Sequence, residues 1–192
     1  SPLGEIDCTP IFFDINLRCQ QVQLNPIKRA SIMNTPFVAV LMGSDSDLPV
    51  MQSTIDTLKK LGISSEVRIT SAHRTPQDTQ HYVQNAEKRG CRVFVAGAGL
   101  AAHLAGAVAA HTLKPVIGVP LDAGSLHGMD SLLSTVQMPG GIPVACVAIG
   151  KPGAKNAAYL AAQMLALENA NLAKTLRNER EENAEAIRQK NN

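Results

Sequence analysis

From Phe37 onward, short apolar runs alternate with amphipathic stretches in a regular order. FVAVLM (37–42), SEVRIT (65–70), RVFVA (92–96), PVIGV (115–119) and PVACVAI (143–149) are brief and nearly continuous. Runs of this kind are strands covered on both faces. Helical stretches lie between them. The first is 48–61, with Asp47 as N-cap, Pro49 near its start and Gly62 after its end. The second is 76–89, with Thr75 as N-cap, Pro76 at the first helical position and Gly90 closing it. An Ala-rich helix at 101–111 and a further helix at 128–136 follow. A last helix runs from about 154 through Glu168 and on, with or without a break, to about 189.

Alternating βαβ units imply a parallel sheet with right-handed crossovers. Five strands predict a three-layer, flavodoxin-like doubly wound α/β fold in the order 2-1-3-4-5, with a C-terminal helical extension. Residues 1–33 break the pattern: they show no clean period and carry Pro2, Pro10 and Pro26. Met33 stands just before the change. Either it is a true start and the preceding residues are upstream sequence, or those residues form an arm that packs on the domain or on a neighbour. The expected layout is thus an N-terminal extension at 1–33, a catalytic α/β domain at 34–168 and a helical tail at 169–192.

Composition narrows the partners. The 192 residues are 45% hydrophobic but only 3% aromatic, with no Trp, so base-stacking platforms are scarce. A net charge of +2 without a long Lys/Arg run argues against a phosphate-backbone binder, so no nucleic-acid partner is expected. No apolar run of about 18 residues occurs, so no membrane span is expected. Cys8, Cys19, Cys91 and Cys146 form no CxxC pair and no zinc-like spacing with His. They read as free thiols of a reducing compartment and, with no signal peptide opening the chain, the expected location is cytoplasmic.

Ligands of open α/β sheets bind beyond the carboxyl ends of the strands, at the switch point. Three loops should meet there. In Gly43-Ser44-Asp45-Ser46-Asp47, hydroxyls and free N–H groups suit a phosphate, and carboxylates suit ribose hydroxyls. The same residues could equally form an ordinary capping turn. In Ser71-Ala72-His73-Arg74-Thr75-Pro76, Arg74 beside a helix start makes a phosphate clamp or a surface ion pair. Imidazole titrates near neutral pH, so His73 beside it is a candidate proton shuttle. In Gly97-Ala98-Gly99-Leu100-Ala101-Ala102-His103, small residues allow close approach. Ala102 stands where a dinucleotide fingerprint needs its third glycine, which excludes an NAD site. His103 reads as a structural residue inside a helix of small residues. His127 lies in a post-strand loop, and His81 and His111 have no supporting context. The loop 120–127 and the segment 137–143 carry Gly and Pro that fit closing loops. No metal-ligand cluster, GxSxG elbow or Ser-His-Asp set is evident.

VLMGSDSD, SAHRTP, GAGLAAHLAG, GVP, DSLLSTVQMPGGIPV and AIGKPGAKNAAYLAAQML, taken in order, resemble the class I 5-(carboxyamino)imidazole ribonucleotide mutase family of microbial purine biosynthesis. The resemblance runs from about Phe37 to about Leu167. It implies an isomerase that moves a carboxylate from the exocyclic nitrogen to ring carbon 4 without metal, ATP or biotin, so no cofactor is expected. It implies CO₂ released and recaptured in a closed pocket, with His73 as the acid/base. It gives Ser44, Ser46 and Asp47 to the nucleotide, Ser71 and Arg74 to the phosphate, and Gly97, Ala98 and Gly99 to the base and carboxylate. It implies a homo-octamer whose C-terminal helix reaches across subunits. Two positions depart from the family's common GAGGAAHLPG: Leu100 and Ala105. The related carboxylase class, which uses free CO₂, typically carries Lys-Gly after the His and Asn-Gly-Leu in place of AAHL. Arg74-Thr75 and the Ala101–Leu104 run favour the mutase.

Overall fold

The sheet is all parallel and runs β2-β1-β3-β4-β5, the expected order. In a computed structural model that describes residues 36–191, its strands are β1 (Phe37–Met42), β2 (Ser65–Ile69), β3 (Cys91–Gly99), β4 (Val116–Leu121) and β5 (Ala145–Cys146). Asn34–Asn192 forms one compact unit. The two readings of residues 1–33, with Cys8 and Cys19, fall outside the described residues.

Alternation along the central strands explains the layers. Val38, Val40 and Met42 of β1, with Val93 and Val95 of β3, join Met51 and Leu58 of α1 (Leu48–Lys60). Ala154, Ala157, Ala158 and Ala161 of α5 (Gly150–Ala166) close that core. The intervening Phe37, Ala39, Leu41, Phe94 and Ala96 face the other way. They meet Val83 and Ala86 of α2 (Pro76–Lys88) and Leu104, Ala105 and Val108 of α3 (Leu104–Ala109). Alanine on α5 leaves room for α1, and Thr54 of α1 donates its hydroxyl to the Ala154 carbonyl at 2.7 Å. α4 (Met129–Val136) comes close to β4 because Gly118 has no side chain; a Cβ there would stand 2.3 Å from Thr135 Cγ2.

Several boundaries differ from expectation. β3 runs on to Gly99, since Gly97, Ala98 and Gly99 still pair with Val119, Pro120 and Leu121. Their small size answers crowding rather than a turn: a Cβ at Gly97 would lie 2.4 Å from Met51 Sδ. α3 starts only at Leu104, so His103 is its N-cap and not an interior residue. β5 shrinks to two paired residues at the sheet edge. α5 starts at Gly150, and the chain breaks before α6 (Ala170–Arg188), where the Asn169 side chain accepts from the Leu172 N–H at 3.1 Å. Leu172 packs with Leu61 and Ala162. Glu179 of α6 takes Lys60 of α1 and, at 2.8 Å, the Tyr159 hydroxyl of α5, which ties the last helix to both.

Candidate functional site

The loops after β1, β2 and β3 meet at the carboxyl edge of the sheet, around a cleft of about 480 Å³. After β1, Ser44 caps a 3₁₀ turn over Asp45–Asp47. Its hydroxyl accepts from the Ser46 N–H at 3.3 Å, and it forms a reciprocal capping box with Asp47, whose Oδ2 accepts from the Ser44 N–H at 3.0 Å. Asp47 stands at the N-cap of α1 as expected, but its side chain makes no capping bond to that helix; the 3₁₀ turn inserted ahead of α1 takes its carboxylate back to Ser44. Burial pushes the Asp47 carboxyl above its ordinary value, against the pull of the Ser44 and Gly43 N–H groups. The Ser46 hydroxyl bonds Ser44 Oγ at 2.9 Å.

After β2, the backbone is locked from below. The Thr70 N–H donates to the Met42 carbonyl, and the Thr70 and Thr79 hydroxyls bond at 2.7 Å. Thr75 Oγ1 accepts from the Ser71 N–H at 3.0 Å, so this side chain braces the loop and does not cap α2. Ser71 Oγ accepts from the Arg74 N–H at 3.1 Å, and Arg74 Nη2 donates to the Gly43 carbonyl at 3.0 Å. The Arg74 guanidinium is thus held across the first two loops, beside Ser71, at the cleft wall.

His73 and His103 approach across the cleft, Nε2 to Nδ1 at 2.6 Å, with rings edge to face at 84°. Both are exposed. The structure brings together Ser44, Ser46, Asp47, Ser71, His73, Arg74, Ala98 and Gly99 as cleft-lining residues. Gly97 is not among them: it is buried one step below, against Met51. Gly43, Ala72, Leu100, Ala101 and His103 belong to the three loops expected to meet but carried no assigned role, and Leu104 and Ala123 lie beyond those loops; all of them also line the cleft. The available signal was position: 100–104 directly follow the carboxyl end of β3. Of the two segments read as closing loops, 120–127 contributes Ala123, whereas Gly141, Ile142 and Pro143 line a separate groove. That groove, about 880 Å³, lies where the chain enters β4, and another of about 800 Å³ runs between α5 and α6. Both are larger than the cleft, yet neither lies at the carboxyl edge where the loops converge.

A cation, hydroxyls, a half-buried carboxylate and an imidazole pair around small-residue walls suit a phosphorylated ribosyl ligand and a proton transfer beside it. The fold is that of a doubly wound α/β protein, and the cleft at its switch point is the candidate ligand site. A family model described as AIR carboxylase matches residues 37–186, and the chain belongs to that family. The N5-carboxyaminoimidazole ribonucleotide mutase of Thermotoga maritima is 52% identical over 146 residues, covering 76% of this chain and 84% of that protein. The mutase of Bacillus subtilis is 49% identical over 152 residues, covering 79% and 94%. The crystal structure of Treponema denticola PurE aligns with a TM-score of 0.73 at 32% identity, covering 80% of this chain and 95% of that one.

Proposed function

We propose that the protein is a mutase converting 5-(carboxyamino)imidazole ribonucleotide to 4-carboxy-5-aminoimidazole ribonucleotide in purine biosynthesis. The observation that carries this is the meeting of Ser44, Asp47, Ser71, Arg74 and His73 in one cleft, with Arg74 joining the first loop to the second. The family description names a carboxylase, but the curated relatives at about half identity are named mutases, and the Arg74-Thr75 and AAHL signatures agree with them.

In this reading Arg74, Ser71 and the first turn of α2 hold the phosphate. Ser44, Ser46 and Asp47 hold the ribose. Ala98 and Gly99 face the ring and its carboxylate, and Gly97 backs them. The N–CO₂ bond breaks, its electron pair returns to the exocyclic nitrogen, and CO₂ is freed within the cleft. Carbon 4 then attacks that CO₂. His73 removes the carbon 4 proton, and the exocyclic nitrogen gains one, so the isomerisation balances. Retaining CO₂ beside the ring replaces a bimolecular capture with a nearly unimolecular one.

Residues 34–168 act as the catalytic domain and the last helix as a tail. The working form is a homo-octamer in the cytoplasm. Self-association is supported by exposed apolar side chains outside the cleft: Val67 and Ile69 on the edge strand β2, Leu133 and Val136 on α4, and Leu113. Cys91 and Cys146 are unpaired, in keeping with a reducing compartment. The test is to supply the carboxyamino substrate without bicarbonate. Rapid isomerisation is expected. Turnover only of aminoimidazole ribonucleotide with CO₂ would replace the mutase by the carboxylase, and sedimentation as a monomer would remove the octamer.

A further inference from the structure

Leu100 sits at φ 54°, in the left-handed region that favours glycine. It follows the last residue of β3, lines the cleft and remains 53% exposed. A branched residue held there is strained, and strain at a cleft is kept when the side chain does something a glycine cannot. What the side chain meets is Gly124, in the middle of the 122–128 loop that follows β4. A Cβ at Gly124 would stand 2.5 Å from Leu100 Cδ2 and 4.0 Å from its Cγ, and no other described atom beyond the chain neighbours comes within 4 Å of it.

The two ends of that loop are pinned independently. Ala123 is pressed against the carboxyl end of β3, where a Cβ at Gly99 would come 2.4 Å from Ala123 Cβ. At the other end Gly128, at φ 82°, fits beneath Ile149, and Ser131 Oγ lies 2.9 Å from both the Leu121 and Gly128 carbonyls. Leu100 braces the middle, and Ala123 beside that brace lines the cleft.

We infer that Leu100, seated on Gly124, is the closure residue that keeps CO₂ in the cleft between its release and its recapture. The inference rests on the mutase reading. CO₂ is small and uncharged, so polar groups hold it only weakly; an apolar side chain at the cleft wall adds a steric barrier to its escape. Each CO₂ that escapes leaves aminoimidazole ribonucleotide behind, so the leak is countable.

The test measures product partition. Wild type, Leu100→Gly, Gly124→Ala and the double variant are each given the carboxyamino ribonucleotide in CO₂-free buffer. Carbonic anhydrase sweeps up escaped CO₂, and loss without enzyme is subtracted because a carbamate sheds CO₂ on its own. The ratio of aminoimidazole ribonucleotide to 4-carboxy product should rise several-fold in Leu100→Gly, with no loss of thermal stability because the strained φ is relieved. Gly124→Ala carries no positive φ of its own, so it should leak by displacing Leu100 and should add nothing once Leu100 is Gly. Wild-type partition in Leu100→Gly overturns the inference, as does an equal effect of Gly124→Ala with and without Leu100. If the wild type isomerises and the variants partition like it, only the closure role falls. If the wild type turns over nothing, the mutase reading falls and takes the closure role with it.

Discussion

His73 Nε2 lies 2.6 Å from His103 Nδ1. The first residue hangs from the loop after β2 and the second caps α3 just beyond β3, so the contact spans the strands on either side of β1. A hydrogen bond between two ring nitrogens needs one donor and one acceptor. While it lasts, the accepting ring is neutral at that nitrogen, and the pair carries at most one positive charge. A proton that reaches His73 is therefore taken up by a ring whose orientation His103 fixes.

His73→Asn should lower kcat by roughly 10²–10⁴-fold, the usual worth of a positioned acid/base, while ligand still binds. Calorimetry on the variant reads the binding, and steady-state rates read the turnover. His103→Asn keeps a hydrogen-bonding side chain and should lower kcat by less, with KM little changed. Near-normal turnover in His73→Asn would remove its role. A His103→Asn defect confined to KM would make His103 a binding residue instead of a positioning one.

Arg74→Ala should act on binding. A hydrogen bond to a charged group contributes about 1.5–3 kcal/mol, which corresponds to a KM roughly 10- to 150-fold higher. Arg74→Lys should recover little, because a lysine cannot reach the Gly43 carbonyl and a phosphate with one planar fork. The comparison to make is KM for the ribonucleotide against inhibition by inorganic phosphate. If both are unchanged in Arg74→Ala, the phosphate lies elsewhere.

The sheet order was legible because β1, β3 and β4 are apolar on both faces, so their runs stand out without any tertiary information. The ends of the elements were harder to read. Gly97 and Gly99 look like loop residues until Met51 and Ala123 are seen to occupy the space their side chains would need. His103 looked structural because the Ala run around it suggests unbroken helix; only the folded chain shows that helix starting one residue later, with the ring turned to His73. Asp47 was readable as the N-cap position of α1, but not that the 3₁₀ turn ahead of that helix redirects its side chain to Ser44. Pairwise contacts between distant loops leave no period in the sequence, so the site was readable as residue types at strand ends and not as geometry.

The C-terminal helix should make stability depend on acid. Glu179 is buried at 9% exposure, and its carboxyl is held below the ordinary 4.5 chiefly by its bond from Lys60, with burial opposing and the Tyr159 hydroxyl adding to the lowering. A carboxyl whose folded value lies below its unfolded value binds fewer protons when folded. Its contribution is therefore present above the unfolded value and is lost as pH falls through the lower, folded one. Glu66, lowered chiefly by its bond from Arg89, adds in the same direction. Denaturant unfolding should show stability falling as the pH drops below about 4.5, the ordinary glutamate value. Glu179→Gln should be less stable at neutral pH and should lose less on acidification. An acid dependence as steep as wild type in Glu179→Gln would assign the effect to other carboxyls.

Gly153 offers the sharpest packing test, because it lies well outside the cleft. It sits in the first turn of α5, where a Cβ would come 1.5 Å from the Ala148 carbonyl oxygen and 2.5 Å from its carbon. Both atoms are backbone, so no rotamer change relieves the clash. Gly153→Ala must push the start of α5 off the chain that leads into it, and with it the neighbouring Ala154 carbonyl that accepts from Thr54. Overpacking costs about 1–3 kcal/mol where side chains can yield, so a backbone clash should cost at least about 3 kcal/mol. At roughly 2–4 °C per kcal/mol for a chain of this size, Tm should fall on the order of 10 °C. Gly140→Ala is the control: nothing lies within 4 Å of a Cβ there, and its φ is not positive. Its Tm should stay within about 2 °C of wild type, as for an ordinary surface substitution. Calorimetry that finds the two variants equally stable would mean that the approach of Ala148 to α5 is looser than the structure shows.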